Sequence, residues 1–534
     1  MHWSRGYVAD IGYTAHFYRE MAPSHLAFSA LITGRSPGRA LKPKRFLELG
    51  CGQGFGIALL AAANPHVNFE GYDFNPEHVA HANRIIRNAE LTNIEVVERS
   101  FEEEAARGGS CDVDVLGFHG VLSWVSPESR DAIVSIARQR LQPDGLLYVS
   151  YNCQPGWAPL APIRHLMREV HRRNPGQSDK QLTMGLDLLG ELRNAGVGYF
   201  AANTGAGPHL ENMLKHDKSY LAHEYFGADW YIPPFAAVAD LLDDAKLSYI
   251  GSATITENLD QYAVPQALRE TIAGIQDATL RETIRDYAMN KRFRRDIFAR
   301  GRTPLTHAEH RAVLAQLKFV AVRPRDDFSF KFGGPLGNEL NGVEDYYRPL
   351  ADLLAERPTT IEEIRALPAF QKENLGTLLD CLALLLHSHQ IAAILPGPPI
   401  DATPAQRFNQ WITERLKIGR VYHSIAAPVI GSGIGVNDFD LLALSAVFDG
   451  RGEDPVRVAE HALDIFKGLD RRPTEDGQPI DDDKKAINFL IKELQPILEK
   501  KLPLWRRLGV VYEHQFTSFL ISFFRHFSRG RHWP

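Results

Sequence analysis

Phe46-Leu47-Glu48-Leu49-Gly50-Cys51-Gly52-Gln53-Gly54 is followed downstream by Phe69-Glu70-Gly71-Tyr72-Asp73. Leu47 and Leu49 end an apolar strand, and three glycines at alternate positions lead into a helix expected over Ile57–Ala63. Glycine lets a backbone turn tightly and approach a ligand that a Cβ would block. Asp73 closes the next strand, where a carboxylate can take both hydroxyls of a ribose. The dinucleotide fingerprint G-x-G-x-x-G needs a third glycine at position 55, which is Phe55. That fingerprint also asks for no acid two residues before the first glycine, where this chain has Glu48. An acid there suits a ligand with an ammonium group and no phosphate. A nicotinamide or flavin site and an empty Rossmann-like unit are the competing readings.

Outward from this stretch, strands and helices alternate with short turns. Strands are expected at Phe46–Leu49, Asn68–Asp73, Ile94–Glu98, Val113–Phe118 and Leu146–Tyr151. Helices are expected at Glu77–Ala89 and Glu128–Arg140, the latter stopped by the turn Gln142-Pro143-Asp144-Gly145. The pattern predicts an α/β Rossmann-like fold with a parallel, doubly wound sheet, whose ligands bind at the carboxyl ends of the strands. Residues 155–245 lose the strand pattern and read as a helical insertion. Ser248–Ile255 and Phe293–Ala299 supply the sixth and seventh strands. The expected division is 1–45 as an aromatic N-terminal segment, 46–300 as the ligand-binding domain, 301–398 as a winged-helix-like module and 399–534 as a mainly helical domain. The signals for the later modules are the helix start Thr359-Thr360-Ile361-Glu362-Glu363, a long helix from Asn374 to His389 and the linker Pro396-Gly397-Pro398-Pro399-Ile400.

With 534 residues the chain is too long for one core. It is 44% hydrophobic and 23% charged, an ordinary globular composition, and its net charge of −5 gives no general affinity for nucleic acid. Four cysteines without C-x-x-C spacing exclude a zinc or disulfide framework and suit a reducing cytoplasm. The start of the chain has no apolar signal region, and its longest apolar run, Leu378–Leu386, is too short to span a bilayer. Nucleic-acid partners, a metal centre and membrane insertion are therefore not expected.

The candidate ligand-binding residues are Glu48, Gly50, Cys51, Gly52, Gly54, Asp73, Phe74, Asn75, Ser100, Phe101 and His119. The candidate reaction-site residues are His119, Trp124, Tyr151, Asn152 and Trp157, which follow the fourth and fifth strands. Asn152 offers a carbonyl acceptor, and Tyr151 and Trp157 offer π-faces that attract cations. The competing readings are a turn histidine at His119, core tryptophans and a packed strand-end turn. Tyr7, Tyr13, Phe17 and Tyr18 form either a lid over the site or an amphipathic segment packed on the domain. Gly431-Ser432-Gly433-Ile434-Gly435 repeats the glycine spacing without a preceding acid and reads as a decoy. His307 and His310 lack the H-E-x-x-H spacing of a zinc site. Lys291-Arg292-Phe293-Arg294-Arg295 and the basic tail Arg525–His532 read as solvated faces, or as docking sites for an acidic segment.

The run Glu48–Gly54 with Asp73 resembles the first motif of class I S-adenosylmethionine-dependent methyltransferases. Several further pieces resemble bacterial methyltransferases with a methyltransferase regulatory domain, among them the outer-membrane-protein lysine methyltransferases. These pieces are Gly71–Pro76, His119–Val125, Ser150–Trp157, Tyr220-Leu221-Ala222-His223-Glu224-Tyr225-Phe226 and Asn290–Arg295. The resemblance implies S-adenosylmethionine as cofactor and donor contacts at Glu48, Gly50, Gly52, Asp73, Ser100 and Phe101. It implies an acceptor wall at His119, Trp124, Tyr151, Asn152 and Trp157, and a middle domain used in dimerisation. The expected function is protein lysine N-methylation. Methylation of a small molecule or surface glycan, with His119 as base, and a non-catalytic scaffold are the alternatives. The Asp/Asn-Pro-Pro-Tyr motif of base and amide methyltransferases is absent after the fourth strand.

Overall fold

The computed structural model describes residues 15–301 and 304–512. Its centre is a seven-stranded sheet: β1 (Arg45–Leu49), β2 (Asn68–Asp73), β3 (Ile94–Glu98), β4 (Val113–Phe118), β5 (Leu141–Asn152), β6 (Leu247–Ser252) and β7 (Phe293–Arg300). The strand order is β3-β2-β1-β4-β5-β7-β6, and β7 alone runs antiparallel to its neighbours. The order reverses beside β1, so the β1–α2 loop lies at the switch point. Five helices frame the N-terminal half of the sheet: α1 (Pro23–Ile32), α2 (Phe55–Ala63), α3 (Pro76–Asn88), α4 (Phe101–Arg107) and α5 (Pro127–Arg140).

Local chemistry sets these boundaries. Asn75, Ser100 and Ser126 accept hydrogen bonds from first-turn amides of α3, α4 and α5, and Ser100 forms a reciprocal capping box with Glu103. Two strand boundaries differ from expectation by three residues or more. The strand β5 begins at Leu141, because Leu141 already pairs with Val113 before Gln142–Gly145. The strand β6 ends at Ser252, and Ile255–Asn258 forms a short 3-10 turn.

The helical insertion runs through Ala161–Arg173, Ser178–Asn194, Ala206–Met213 and Lys218–Phe226, with its own apolar cluster. Beyond residue 305, strand Lys318–Ala321 lies between Thr359–Thr360 and Ile391–Ile394 in an antiparallel sheet. Helices Glu344–Glu356, Ile361–Arg365 and Leu375–His387 pack on it, and a hairpin of Lys331–Gly333 with Glu339–Asn341 was not expected from sequence. The last part is mainly helical. Its core is continuous with α2: Phe55, Ala58 and Leu59 share a cluster with Phe408, Trp411 and Tyr422. Likewise Phe28 and Leu31 of α1 share a cluster with Phe319 and Leu382. No helix among the described residues is long and apolar enough to cross a membrane.

The second glycine run is a packing device. Ser432–Gly435 pairs with Ser424–Ala427, and a Cβ on Gly433 would stand 2.7 Å from the ring of Phe17 and 2.8 Å from Leu59. His310 Nε2 lies 2.8 Å from the Leu31 carbonyl oxygen. Tyr7, Tyr13 and the tail Arg525–His532 lie outside the described residues.

Of the basic run at 291–295 only Arg292 is exposed. The run opens β7, and Arg294 is 3% exposed. Its guanidinium donates to Asp296 at 2.8 Å and Glu282 at 3.1 Å, bonds Asp286, and lies 4.3 Å from the Phe235 ring. Burial pushes the Asp286 carboxyl up to about 7 even beside Arg294. Arg285 pairs with Glu282 alone among these carboxylates, so removing Arg294 leaves Asp286 and Asp296 buried without a cation, at a cost of about 3–5 kcal/mol. Arg294→Met is therefore expected to destabilise by that amount in urea unfolding. A change below about 1 kcal/mol would show that the network is not a structural anchor.

Candidate active site

The glycine loop is held from beneath by β2. Gly50 and Cys51 donate their N–H groups to the Tyr72 carbonyl at 2.8 and 3.1 Å. Gly52 N–H donates to Asp73 Oδ2 at 2.8 Å, and Asn75 N–H to Asp73 Oδ1 at 2.9 Å. Gly50, Gly52 and Gly54 have φ of 68°, 55° and 73°, the left-handed region. A Cβ on Gly54 would stand 2.3 Å from that of Ala82, whereas one on Gly52 would enter open space. The Gly52 position faces the cleft, where a ligand approaches the backbone.

Glu48, Gly50–Gly56, Met21 and His119 line this cleft, and Ala15–Tyr18 crosses it. Its cavity volume is about 60 Å³. Glu48 is 8% exposed and forms no salt bridge among the described residues. Burial, then the nearby Asp73, pushes its carboxyl up to about 8. A buried carboxyl in that condition is stabilised by an incoming cation. Phe101 flanks the loop, its ring 3.6 Å from the Cβ position of Gly50. Ser100 is engaged as the α4 cap, and Phe74 and Asn75 follow Asp73, with Asn75 capping α3.

His119 follows β4 at the back of the cleft. Tyr18 stacks on it with centroids 3.4 Å apart, and its Nδ1 lies 2.8 Å from the Tyr148 hydroxyl. Burial, followed by the charge of Arg295, lowers its pKa to about 3. It is neutral at pH 7 and a weak proton acceptor. Trp124, half-buried, lies 5.9 Å from the Arg164 guanidinium.

Two expected wall residues point elsewhere. Successive residues of a strand face opposite sides, so Tyr151 and Asn152 cannot share one face. Tyr151 is fully buried and donates its hydroxyl to Asp296 at 2.6 Å, within the Arg294 cluster. Trp157 packs in the core of the helical insertion, edge-on to Trp230 and His209.

Asn152 does face the site side and meets a residue that was not singled out from sequence. Its Nδ2 donates to Glu224 Oε1 at 3.1 Å, and its backbone N–H donates to Ser123 Oγ at 2.9 Å. Glu224 stands on the helix Lys218–Phe226. Burial pushes its carboxyl up to about 7 against hydrogen bonds from Asn152 and Tyr220 and the charge of Arg164. Burial raises the Tyr18 phenol; Arg295 opposes the rise, and Glu20, Glu224 and Glu48 add to it in that order. The available signal was a lone carboxylate in the largely apolar and aromatic run Tyr220–Phe226.

A family model described as a methyltransferase domain matches residues 47–147, and one described as a predicted methyltransferase regulatory domain matches residues 217–300. An uncharacterised protein of Synechocystis sp. is 29% identical over 520 residues, covering 96% of this chain and 100% of its own. An uncharacterised protein of Rickettsia prowazekii is 26% identical over 527 residues, covering 92% of each chain. The structure of PKMT2 from Rickettsia typhi in complex with AdoHcy has the same fold. The likeness has a TM-score of 0.67 at 19% identity, over 93% of this chain and 99% of that one. Fold, glycine loop and domain models together define a class I methyltransferase that uses S-adenosylmethionine.

The Glu48 carboxyl has a thermodynamic consequence. It stays protonated in the folded protein up to about pH 8, against an ordinary value of 4.5. The folded state thus binds more protons than the unfolded one across that window, and stability falls as pH rises through it. Glu48→Gln is expected to gain in thermal midpoint on the wild type between pH 5.5 and 8.5 in ligand-free protein. Parallel pH curves for the two proteins would contradict this burial of Glu48.

Proposed function

We propose that this methyltransferase methylates the ε-amine of a lysine in a protein substrate. The observation that supports this best is a pair of desolvated carboxyls: Glu48, which lines the donor cleft together with Tyr18, and Glu224, which accepts from Asn152 at the end of β5. Both gain from a cation. S-adenosylmethionine supplies an electrophilic methyl group on a positively charged sulfur. Asp73 and the loop amides hold the ribose end, Glu48 faces the ammonium end, and Tyr18 with His119 keeps water from the reacting centre. An oxygen acceptor needs a strong base, and neutral His119 is a weak one. The resemblance to lysine methyltransferases points the same way.

The segments 301–398 and 399–534 are assigned to protein contacts and to pairing of two copies in the cytoplasm. The acidic net charge and the apolar helix Leu375–His387, with no Lys or Arg, support protein rather than duplex partners. A dimeric mass by light scattering is the expected result.

The decisive experiment is transfer of tritiated methyl groups into a bacterial lysate, followed by acid hydrolysis. Methyl-lysine is expected; label confined to small-molecule or glycan fractions refutes the lysine reading. Asp73→Ala removes charged hydrogen bonds worth about 1.5–3 kcal/mol, so S-adenosylhomocysteine affinity is expected to fall about ten- to a hundredfold. Unchanged affinity by calorimetry in a folded variant would remove Asp73 from the donor site.

A further inference from the structure

The corner between the end of β5 and the helix Lys218–Phe226 is built around one carboxylate. Glu224 receives Asn152 Nδ2 at 3.1 Å, and Tyr220, one helical turn before it on the same helix, acts on its carboxyl as a hydroxyl donor that favours the charged form. Asn152 is itself fixed by Ser123 and is 6% exposed. With Nδ2 committed to Glu224, the Asn152 carbonyl oxygen is left as an acceptor. The corner adjoins the donor cleft through the segment after β4: His119 lines the cleft under Tyr18, and Ser123 of the same segment holds the Asn152 backbone. Arg164 adds positive charge to the same corner, and its guanidinium is anchored on the Gly227 carbonyl at 2.6 Å. Asn152 from β5 donates to Glu224, and the titratable groups that interact with its charge are Tyr18 from the crossing segment, Tyr220 and Tyr225 from its own helix and Arg164 from the neighbouring helix.

Resting on the lysine reading above, we infer that Glu224 is the proton acceptor for the incoming lysine ammonium, oriented by Asn152 and Tyr220. A free lysine has a pKa near 10.4, so only about one in a few thousand is neutral at pH 7. Something must take a proton before the nitrogen lone pair exists. Glu224 takes one proton from the ammonium and becomes the neutral acid. The freed lone pair forms the N–C bond to the methyl carbon as the C–S bond breaks, and that electron pair stays on sulfur. The products are a methylated ammonium, a neutral thioether and protonated Glu224, which returns its proton to solvent. The carboxyl titrates near 7, so it suits a base working at neutral pH. Transfer carried by it is lost as pH falls below about 7.

The test uses the full chain and the Glu224→Gln variant, which keeps the shape and an acceptor oxygen for Asn152. The first readout is calorimetric S-adenosylhomocysteine binding, expected within about threefold of wild type because Glu224 lies outside the donor loop. The second is binding of n-butylammonium, a lysine side-chain mimic, to protein saturated with S-adenosylhomocysteine; the variant is expected to lose it. The third is methyl-lysine formed in lysate, expected to drop about a hundredfold or more. The acidic limb of the wild-type pH profile should vanish from the residual activity.

Wild-type turnover and pH profile in Glu224→Gln would overturn the inference while leaving lysine methylation standing. Absence of methyl-lysine with wild-type protein would instead remove the reading beneath it. If Glu224→Gln does not fold, Tyr220→Phe decides. Loss of one donor to the carboxylate must raise the acidic limb of the profile, and an unmoved limb overturns the inference.

Discussion

The carboxylate of Asp73 is the joint on which the site depends. It ends β2, yet it accepts N–H groups from Gly52 on one side and Asn75 on the other. A charged acceptor on two backbone amides is a strong restraint, and it fixes the glycine loop to the entry of α3. The loop's left-handed residues then have no freedom to collapse into the space above Gly52. Asparagine at 75 extends the same chain of bonds by capping α3. The donor cleft exists because this restraint keeps the ends of β1 and β2 together with their backbone amides oriented.

The two faces of β5 and β7 divide structural from chemical work. On one face Tyr151, Arg294 and Asp296 form a buried, hydrogen-bonded cluster with Glu282 and Asp286. On the other, Phe293 stands near His119, on which Tyr18 stacks, Arg295 lies against Phe293, and Asn152 meets Glu224. Alternation along the strands enforces the division. It allows the protein to concentrate charge in a locked network behind the sheet, while on the cleft side burial holds the carboxyls of Glu48 and Glu224 above their ordinary range.

The segment matched by the regulatory-domain model begins at residue 217, and it contains Glu224. That part therefore reaches the end of β5 and contributes to the wall beside the site. The crossing segment Ala15–Tyr18 closes the cleft from the opposite direction. Its neighbour Arg19 donates to the carbonyls of Leu386 and His387 at 2.7 Å. The aromatic strap is thus tied to a helix more than 350 residues away in sequence. Packing of Phe17 against Gly433 adds a second tie.

The sequence by itself determined the sheet and the donor loop. Strand and helix periodicity, glycine spacing and cap residues are local, and β2, β3 and β4 fall where the pattern puts them. Glu48 and Asp73 were legible because their positions relative to strand ends follow from chain geometry alone. Tertiary structure decided which side chains face one another. Tyr151 and Asn152 are neighbours in sequence and opposite in space, and only the placement of β7 shows that Asp296 takes the tyrosine. Trp157 reads as a π-face until the helical insertion closes around it. Glu224 lies 72 residues from Asn152, and no spacing rule joins them. Its chemistry comes from desolvation, a property of everything packed around a carboxylate, which the order of residues along a chain does not express.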